Sequence, residues 1–313
     1  MDCIDRYGSS GKKTLGCIFK VSTLRILPKV WSSLRVIIHN SSFISMNDLT
    51  KFELKGKTVL VTGGAGFLGQ LFGKSLADAG ANVVLADLNL EASEKAASEI
   101  SAQTGGTVIG VAMDVTNKEN ITTTIEMIVS KFGSLDVAVN NAGLDPKFDA
   151  TVPTNDKQFE NYPEEFIRKS LEVNLLGATL VAQASVRQML KQGNGNIVNI
   201  SSLYGINGPD QKIYPEGTQK PVDYSISKGG LVMLTKWLAT SYASKGIRTN
   251  TMTLGGVIRN HPEDFQKKYG AKVPDGKMVG QDEIGAPLVF LASQASSGVN
   301  GCNLIVDHGF SAY

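Results

Sequence analysis

Short apolar segments alternate with helix-like segments from residue 57 to the carboxyl terminus of this 313-residue chain. The first apolar segment, 57–62, is followed by a glycine cluster and then by the helix-like pattern 67–79. Apolar segments that lack an alternating polar face are typical of strands buried on both sides. Strands that alternate with helices form parallel sheets through right-handed crossovers. The sequence therefore predicts a single α/β domain, a doubly wound parallel sheet of about seven strands with helices on both faces.

The other predicted elements follow in the same order. Further strands are predicted at 82–86, 107–113, 135–140, 196–200, 248–253 and 303–306. Further helices are predicted at 91–103, 117–132, 164–190, 224–244 and 281–293. Two long loops, 203–222 and 255–280, follow the ends of predicted strands, and the second contains a short helix predicted at 262–269. Because ligands of open parallel sheets bind at this edge, both loops are expected to border a functional site.

The charge of the chain divides at Met46. Residues 1–45 carry seven basic and two acidic side chains, whereas residues 46–313 carry 24 basic and 27 acidic ones. The slightly acidic body does not indicate nucleic-acid binding. We interpret 1–45 as an extension that is disordered or absent from the native protein, because Met46 stands just before a natural domain start. A mitochondrial-type targeting peptide and a basic arm that contacts a membrane or a partner are the alternatives.

Cysteine and histidine are scarce. The chain has three cysteines, Cys3, Cys17 and Cys302, and three histidines. These numbers support neither a disulfide framework nor a cysteine metal site, and a histidine metal site is not expected. No stretch reaches the ~18 consecutive apolar residues of a membrane span. We therefore expect a cytoplasmic protein with no membrane span and no bound metal.

A glycine motif directly follows the first predicted strand. Gly64, Gly66 and Gly69 have the spacing G-x-G-x-x-G, which allows a tight turn and the close approach of a pyrophosphate to a helix amino terminus. Asp87 ends the second predicted strand, where a carboxylate accepts hydrogen bonds from an adenosine ribose and repels a 2′-phosphate. These features predict NAD as the cofactor in preference to NADP. The alternative is a glycine-rich turn and an aspartate that caps the next helix.

A tyrosine and a lysine stand four residues apart at the start of the helix predicted at 224–244. Tyr224 and Lys228 share one helix face, and the ammonium would stabilise the phenolate and bring the pKa of the phenol nearer neutrality. Ser201 and Ser202 follow the fifth predicted strand, so a serine hydroxyl and the phenol can meet at one substrate oxygen. Each feature alone has a simpler interpretation, a chance pair or a turn serine. Their combination predicts acid–base catalysis.

Together these motifs resemble the short-chain dehydrogenase/reductase family, with its Rossmann-type fold, over residues 55–313. The matching segments include 62–69, 114–115, 140–143 and 197–202. The resemblance implies that Tyr224 is the general acid/base and that Ser202 holds the substrate oxygen. It also implies that Lys228 lowers the tyrosine pKa and binds the nicotinamide ribose, and that Asn174 supports a water-linked proton relay. The implied cofactor-binding residues are Gly63, Gly64, Gly66, Phe67, Leu68, Gly69, Asp87, Asp114, Val115, Asn141, Ala142, Gly143, Tyr224, Lys228 and Val257.

Three features depart from the usual family pattern. The glycine spacing is that of the extended branch, which acts on nucleotide sugars, but only 85 residues follow Lys228, so the compact single-domain branch is expected. Leu254 and Gly255 stand where Pro-Gly is frequent, and the threonine that usually follows is missing. Val257 is still placed to meet the nicotinamide amide through its backbone. His308 replaces a frequent glycine and is expected at the surface or at a subunit contact.

The resemblance predicts an NAD(P)(H)-dependent oxidoreductase that interconverts a secondary alcohol and a ketone. Extra polar residues at 207–222 favour a sugar, polyol or sugar acid, as in gluconate 5-dehydrogenases, although such an insert could instead contact another subunit. The other functions left open are a 3-oxoacyl-type ketoreductase, a nucleotide-sugar epimerase or dehydratase, and an NAD-binding sensor or scaffold. The resemblance also implies a homodimer or homotetramer built on the helices at 164–190 and 224–244.

Overall fold

A seven-stranded parallel sheet forms the centre of the domain in the computed structural model, which describes residues 46–145 and 158–313. Its strands are β1 (Thr58–Thr62), β2 (Asn82–Asp87), β3 (Val108–Ala112), β4 (Val137–Asn140), β5 (Gly195–Ser202), β6 (Ile247–Leu254) and β7 (Asn303–Val306). Their order across the sheet is β3-β2-β1-β4-β5-β6-β7, and every neighbouring pair is parallel. The predicted doubly wound α/β fold is confirmed.

Helices connect the strands. They are α1 (Phe67–Asp78), α2 (Leu90–Thr104), α3 (Lys118–Phe132), α4 (Glu164–Leu171), α5 (Ala178–Gln192), α6 (Val222–Tyr242), α7 (Glu263–Gly270) and α8 (Gly285–Ala292). A π-helical turn, Glu172–Gly177, joins α4 to α5. Short 3-10 turns occur at Met46–Phe52, Phe159–Asn161, Leu203–Gly205, Gln211–Ile213, Ala243–Lys245, Gln294–Ser296 and Phe310–Ala312.

Two apolar clusters cover the two faces of the sheet. Val61 of β1 packs with Phe72 of α1 and with side chains of α8 in one cluster. Leu60, its neighbour in β1, packs with Ile125 of α3 and Val181 of α5 in the other. Successive residues of a strand point to opposite faces. The strands are therefore buried on both sides, which explains why their sequences lack a polar face.

The helix predicted at 164–190 is confirmed as a continuous helical segment over 164–192, but it contains a π-helical turn that the sequence pattern does not predict. α4 ends at Leu171, and the π turn precedes α5. A Cβ at Gly177 would lie only 2.8 Å from Cγ2 of Val115, so the turn passes very close to the segment after β3. A π turn inserts one residue and re-aims the side chains around it, often at functional sites. The apolar periodicity that predicts a helix does not reveal such a local insertion.

The helix predicted at 281–293 begins later, at Gly285. The residues before it form a turn in which the Glu283 carboxylate accepts a hydrogen bond from the Gly280 amide and contacts His308. All other predicted strands and helices lie within two residues of the observed bounds. The sequence pattern therefore predicts the bounds of these regular strands and helices well.

The extension predicted at 1–45 lies outside the described residues. Within the two described ranges, no helix is both long enough and apolar enough to cross a membrane. Within the same ranges, no group of three His, Cys, Asp or Glu side chains is arranged to hold a metal ion. Cys302 is an exposed free thiol.

Candidate active site

The carboxyl ends of β1, β4 and β5 lie side by side at one edge of the sheet. β1 pairs with β2 on one side and with β4 on the other, so the chain connections diverge between β1 and β4. Ligands of open parallel sheets bind outside the strand ends at such a switch point. The glycine motif, residues 141–143 and Ser202 all follow or end these strands and meet at this edge.

The turn between β1 and α1 is packed too tightly for side chains. Gly63 has a φ of +64°, and a Cβ at Gly64 would lie 2.6 Å from Cβ of Leu85. A Cβ at Gly69 would overlap the carbonyl oxygen of Gly63. Gly66 precedes the helix and has no side chain to cap the first helical N–H groups. These amides and the positive end of the helix dipole fit the pyrophosphate of a dinucleotide.

Asp87 ends β2 beside this turn. Its carboxylate accepts hydrogen bonds from the backbone amides of Ala65 at 3.1 Å and Asn89 at 3.2 Å. These bonds fix the carboxylate at the rim of the glycine turn, where the adenosine ribose of a bound dinucleotide would lie. The neighbouring Ala65 and Leu88 carry no charge that would attract a 2′-phosphate.

The end of β4 is bonded to the end of β1. The Thr62 hydroxyl accepts hydrogen bonds from the amides of Asn141 and Ala142, each at 3.0 Å. The Asn141 side chain donates in return to the Thr62 carbonyl at 2.9 Å. A Cβ at Gly143 would lie 3.3 Å from Oδ1 of Asn174. Residues 141–143 therefore lie between the glycine turn and the π turn.

Asn174 is fully buried in the π turn and holds the chain that leaves β4. Its Oδ1 accepts a hydrogen bond from the Leu144 amide at 2.6 Å, and its Nδ2 donates to the Leu144 carbonyl at 2.9 Å. Nδ2 also lies 3.3 Å from Oγ of Ser227 in α6. Asn174 thus positions the segment just before Asp145, while its part in a proton relay stays a prediction.

Tyr224 lies in the first turn of α6 and faces Ser202 at the end of β5. Burial raises the pKa of Tyr224 above its ordinary value of 10.0. The charge of Asp145 adds to this rise, and a hydrogen bond with Ser202 lowers the pKa in part. The phenol and the hydroxyl are thus close enough to contact one substrate oxygen, as the sequence predicts.

Lys228 lies one turn further along α6, with its ammonium buried. Nζ donates to the Ile200 carbonyl at 3.0 Å and lies 5.8 Å from the centre of the Tyr224 ring. Burial lowers the pKa of Lys228 to about 8, although the charge of Asp145 acts in the opposite direction. The ammonium is bonded to a backbone carbonyl rather than to the phenol. Lowering of the tyrosine pKa by Lys228 stays a prediction.

Known proteins share both this sequence and this fold. A family model described as enoyl-(acyl carrier protein) reductase matches residues 67–311. The short chain dehydrogenase/reductase astE of Aspergillus oryzae is 33% identical over 270 residues, which cover 83% of this chain and 97% of that protein. The chain belongs to the short-chain dehydrogenase/reductase family.

Two other members are similar over almost their whole length. The D-threitol dehydrogenase of Mycolicibacterium smegmatis is 32% identical over 268 residues, which cover 83% of this chain and 95% of that protein. A gluconate 5-dehydrogenase from Burkholderia cenocepacia, solved in complex with NADP and tartrate, superposes with a TM-score of 0.75 at 28% identity. That superposition covers 85% of this chain and 99% of the other.

In this short-chain dehydrogenase/reductase, the loops after β5 and β6 form a wall beside the tyrosine. The hydroxyl groups of Tyr204 and Tyr214 lie 3.0 Å apart, and the Tyr214 ring lies 5.9 Å from the ring of Phe265 in α7. An ion pair of 2.8 Å between Lys272 and Asp210 joins the same two loops. Tyr224 packs against this cluster, so both loops border the predicted catalytic residues.

Two charged residues at the site are absent from the sequence-based prediction. Lys220, in the loop before α6, forms an ion pair with Asp145, and its Nζ lies 4.1 Å from the centre of the Tyr224 ring. The two residues are 75 positions apart, and neither belongs to a motif. The polar insert next to Tyr224 is a sequence signal for a functional loop, but it does not distinguish Lys220 from its neighbours.

The loop after β6 adds two features at the cofactor side. The residues on both sides of Val257 bond to Val279, because the Ile258 amide donates to the Val279 carbonyl and the Gly256 carbonyl accepts from the Val279 amide. The N–H and C=O of Val257 itself therefore point away from Val279. The Arg259 guanidinium lies 4.7 Å from the centre of the Phe67 ring at the start of α1. Arg259, which the sequence analysis did not assign, therefore places a positive charge near the helix amino terminus.

Two predicted cofactor residues have partners within the fold. The Asp114 carboxylate accepts hydrogen bonds from the Thr116 amide at 2.8 Å and from its hydroxyl at 2.7 Å. Val115 is buried and packs against Gly177. These contacts position the turn after β3, and contact of the two residues with an adenine stays a prediction.

His308 makes its contacts within the chain. Its φ of +55° lies in the left-handed region, which explains why glycine is frequent at this position. Nδ1 lies 2.6 Å from Asp275, and Nε2 lies 2.8 Å from Glu283. His308 is therefore a partly exposed bridge between two carboxylates.

Proposed function

We propose that this protein is an NAD(H)-dependent oxidoreductase that interconverts a secondary alcohol and a ketone on a polyol, sugar or sugar acid. The observation that carries the proposal is the convergence of Ser202, Tyr224 and Lys228 at the sheet edge that also holds the glycine turn. Binding of a dinucleotide without turnover would not need a serine hydroxyl and a phenol placed together. The pairing of Ser202 with Tyr224 therefore supports catalysis.

The chain's own residues would handle the oxygen and the proton of the substrate. A bound nicotinamide supplies or accepts the hydride. The Ser202 hydroxyl would hold the reacting oxygen, and Tyr224 would take the hydroxyl proton in oxidation and return it in reduction. A buried phenol with a raised pKa is readily kept protonated. Nζ of Lys228 lies 5.8 Å from the centre of the Tyr224 ring, and we propose that this ammonium favours removal of the proton.

The described residues fit a dinucleotide, and we propose NAD in preference to NADP. The glycine turn and the first turn of α1 would hold the pyrophosphate, with Arg259 nearby. Lys228 would bind the nicotinamide ribose, and the backbone of Val257 would meet the carboxamide. The related gluconate 5-dehydrogenase was solved with NADP, so this preference rests on Asp87 of this chain.

A polyhydroxylated substrate is proposed from the polarity of the site. Tyr204, Tyr214, Asp145 and Lys220 surround the phenol with hydrogen-bond donors and acceptors. A fatty-acyl chain would make no hydrogen bonds with these groups, whereas the hydroxyl groups of a polyol can both donate to them and accept from them. Two of the similar proteins are named for a tetritol and for a sugar acid.

We also propose a homodimer or homotetramer. Ile226, Met233 and Trp237 of α6 are exposed by 51%, 63% and 59%. Their spacing places them on one side of the helix, where a second copy would cover them.

A substrate screen tests the proposed function. The full chain is incubated with NAD⁺ or NADP⁺ and a panel of polyols, sugars and sugar acids, and with NADH and a 3-oxoacyl ester, while NADH absorbance is followed. We expect turnover of at least one polyhydroxylated alcohol with NAD⁺. Turnover of the 3-oxoacyl ester alone would contradict the proposal, as would tightly retained NAD with no net production of NADH.

A further inference from the structure

We propose that Asp145 and Lys220 together recognise a hydroxyl group on the carbon next to the reacting carbinol, so that the preferred substrates are vicinal diols. This inference rests on the proposed oxidoreductase function and specifies its substrate class.

The position of Lys220 is fixed by contacts on several sides. Its side chain is only 9% exposed, and its Nζ is bonded to the Asp145 carboxylate and lies 4.1 Å above the centre of the Tyr224 ring. Its backbone amide donates to Oε1 of Gln211 at 2.7 Å. The ammonium therefore stands over the ring that carries the reacting phenol oxygen. A substrate oxygen held by Tyr224 has its neighbouring carbon within reach of this ammonium.

Asp145 is placed on the open side of the same pair. Its side chain is 64% exposed, although it is bonded to a nearly buried lysine. Its bond to Lys220, whose Nζ lies 4.1 Å from the centre of the Tyr224 ring, places the carboxylate beside the groups that surround the phenol. The Asn174 clamp on Leu144 positions the residue directly before it. The pair thus has one buried cation and one accessible anion at the reacting centre.

An alcohol hydroxyl matches this pair better than a carboxylate does. A hydroxyl both accepts and donates, so it can accept a hydrogen bond from the ammonium and donate one to Asp145 at the same time. A substrate carboxylate only accepts, and Asp145 would repel it while already neutralising Lys220. A hydrocarbon would leave both charges without a substrate partner. The ion pair therefore favours a neutral diol over both a sugar acid and a simple alcohol.

The test compares three four-carbon substrates in the full chain with saturating NAD⁺. Threitol has a hydroxyl next to each carbinol, 2-butanol lacks it, and threonate carries a carboxylate at one end.

The variants are Lys220→Met, which keeps the length of the side chain, and Asp145→Asn, which keeps its shape. Lys220→Gln retains a donor and serves as a second substitution. The matched controls are Lys212→Met, in the same loop, and Asp78→Asn, on α1; both residues lie outside the site. NADH titration and thermal unfolding monitor folding of each variant.

For the wild-type chain we expect kcat/KM for threitol to exceed that for 2-butanol by about 100-fold or more. Lys220→Met and Asp145→Asn should each reduce this preference by about 10-fold or more, with NADH affinity unchanged. Asp145→Asn should in addition raise the threonate to threitol ratio by about 10-fold, because it leaves Lys220 free to bind a carboxylate, whereas Lys220→Met should not. Lys220→Gln should retain part of the preference.

Two results would overturn the recognition site and leave the proposed function intact. One is turnover of threitol with the same preference over 2-butanol in both site variants. The other is an equal loss of preference in the two control variants. If the wild-type chain oxidises no alcohol in this test or in the wider screen, both the proposed function and the proposed recognition site are contradicted.

Discussion

The Asn174 side chain binds both backbone groups of Leu144, at 2.6 and 2.9 Å. This pair of bonds ties the π turn between α4 and α5 to the chain that leaves β4. On one side of Leu144 lies Gly143, which follows Ala142 at the glycine turn, and on the other lies Asp145, bonded to Lys220. One amide therefore positions residues of both the cofactor side and the substrate side.

Replacement of Asn174 by alanine removes this clamp. We expect kcat to fall by about 100-fold, because the groups around Tyr224 lose their alignment. NADH affinity should fall as well, because Gly143 is no longer held. Steady-state kinetics and NADH titration measure the two effects, and Asn194→Ala, at an exposed position, is the control. Unchanged kcat and unchanged NADH affinity in Asn174→Ala would show that the clamp has no functional role.

The sequence predicts those parts of the site that lie within one element or one motif. Tyr224 and Lys228 share a helix, and the glycines and Asp87 follow consecutive strands, so local patterns reveal them. Residues that enter the site only through contacts between distant segments are not predicted from local patterns. The contact between Lys220 and Asp145 joins positions 75 residues apart. The π turn that holds Asn174 passes very close to Val115, and apolar periodicity does not report such a contact.

Asp87 should determine the cofactor preference. Asp87→Ser removes the charge that repels a 2′-phosphate and the acceptor for the ribose hydroxyl groups. We expect the ratio of kcat/KM for NADP⁺ to that for NAD⁺ to rise by about 10-fold or more. Kinetics with both cofactors measure the ratio, and Asp78→Ser is the control. An unchanged ratio would mean that another residue sets the preference.

The bridge between His308, Asp275 and Glu283 should make stability depend on pH. The two carboxylates raise the pKa of His308, chiefly through the hydrogen bond with Glu283. The contribution of the His308 imidazolium to the free energy of unfolding is therefore complete below the unfolded pKa of 6.5. It is lost as the pH rises through the pKa of His308 in the folded protein. The pKa values of Asp275 and Glu283 are lowered in the folded protein. The stabilisation that these two carboxylates provide is therefore lost only as the pH falls through the acidic range.

His308→Asn tests this bridge, because asparagine tolerates the left-handed backbone. The difference in Tm between wild type and variant should be largest between about pH 5 and pH 6.5 and should shrink in alkaline buffer. His261 is the control because burial lowers its pKa, so the Tm difference for His261→Asn should change with pH in the opposite direction. A Tm difference for His308→Asn that does not vary with pH would contradict the bridge.

The exposed apolar face of α6 should form a subunit contact. Trp237→Glu places a charge at a position that is 59% exposed in the isolated chain. If a second copy covers this face, burial of the unpaired charge weakens the assembly. Light scattering should then give a lower mass for the variant than for the wild type, with similar far-UV circular dichroism. The same multimeric mass in both proteins would exclude this face as the contact.

The central claim is that the Tyr224 hydroxyl transfers the substrate proton, and the Tyr224→Phe variant tests it most directly. The substitution removes one oxygen and keeps the ring that packs against the aromatic wall and Lys220. Tyr162→Phe, which removes a hydroxyl outside the proposed transfer, is the control. We predict that kcat falls by about 1,000-fold or more while NADH affinity and Tm stay close to wild type. Turnover of the Tyr224→Phe variant within a few-fold of wild type would contradict it.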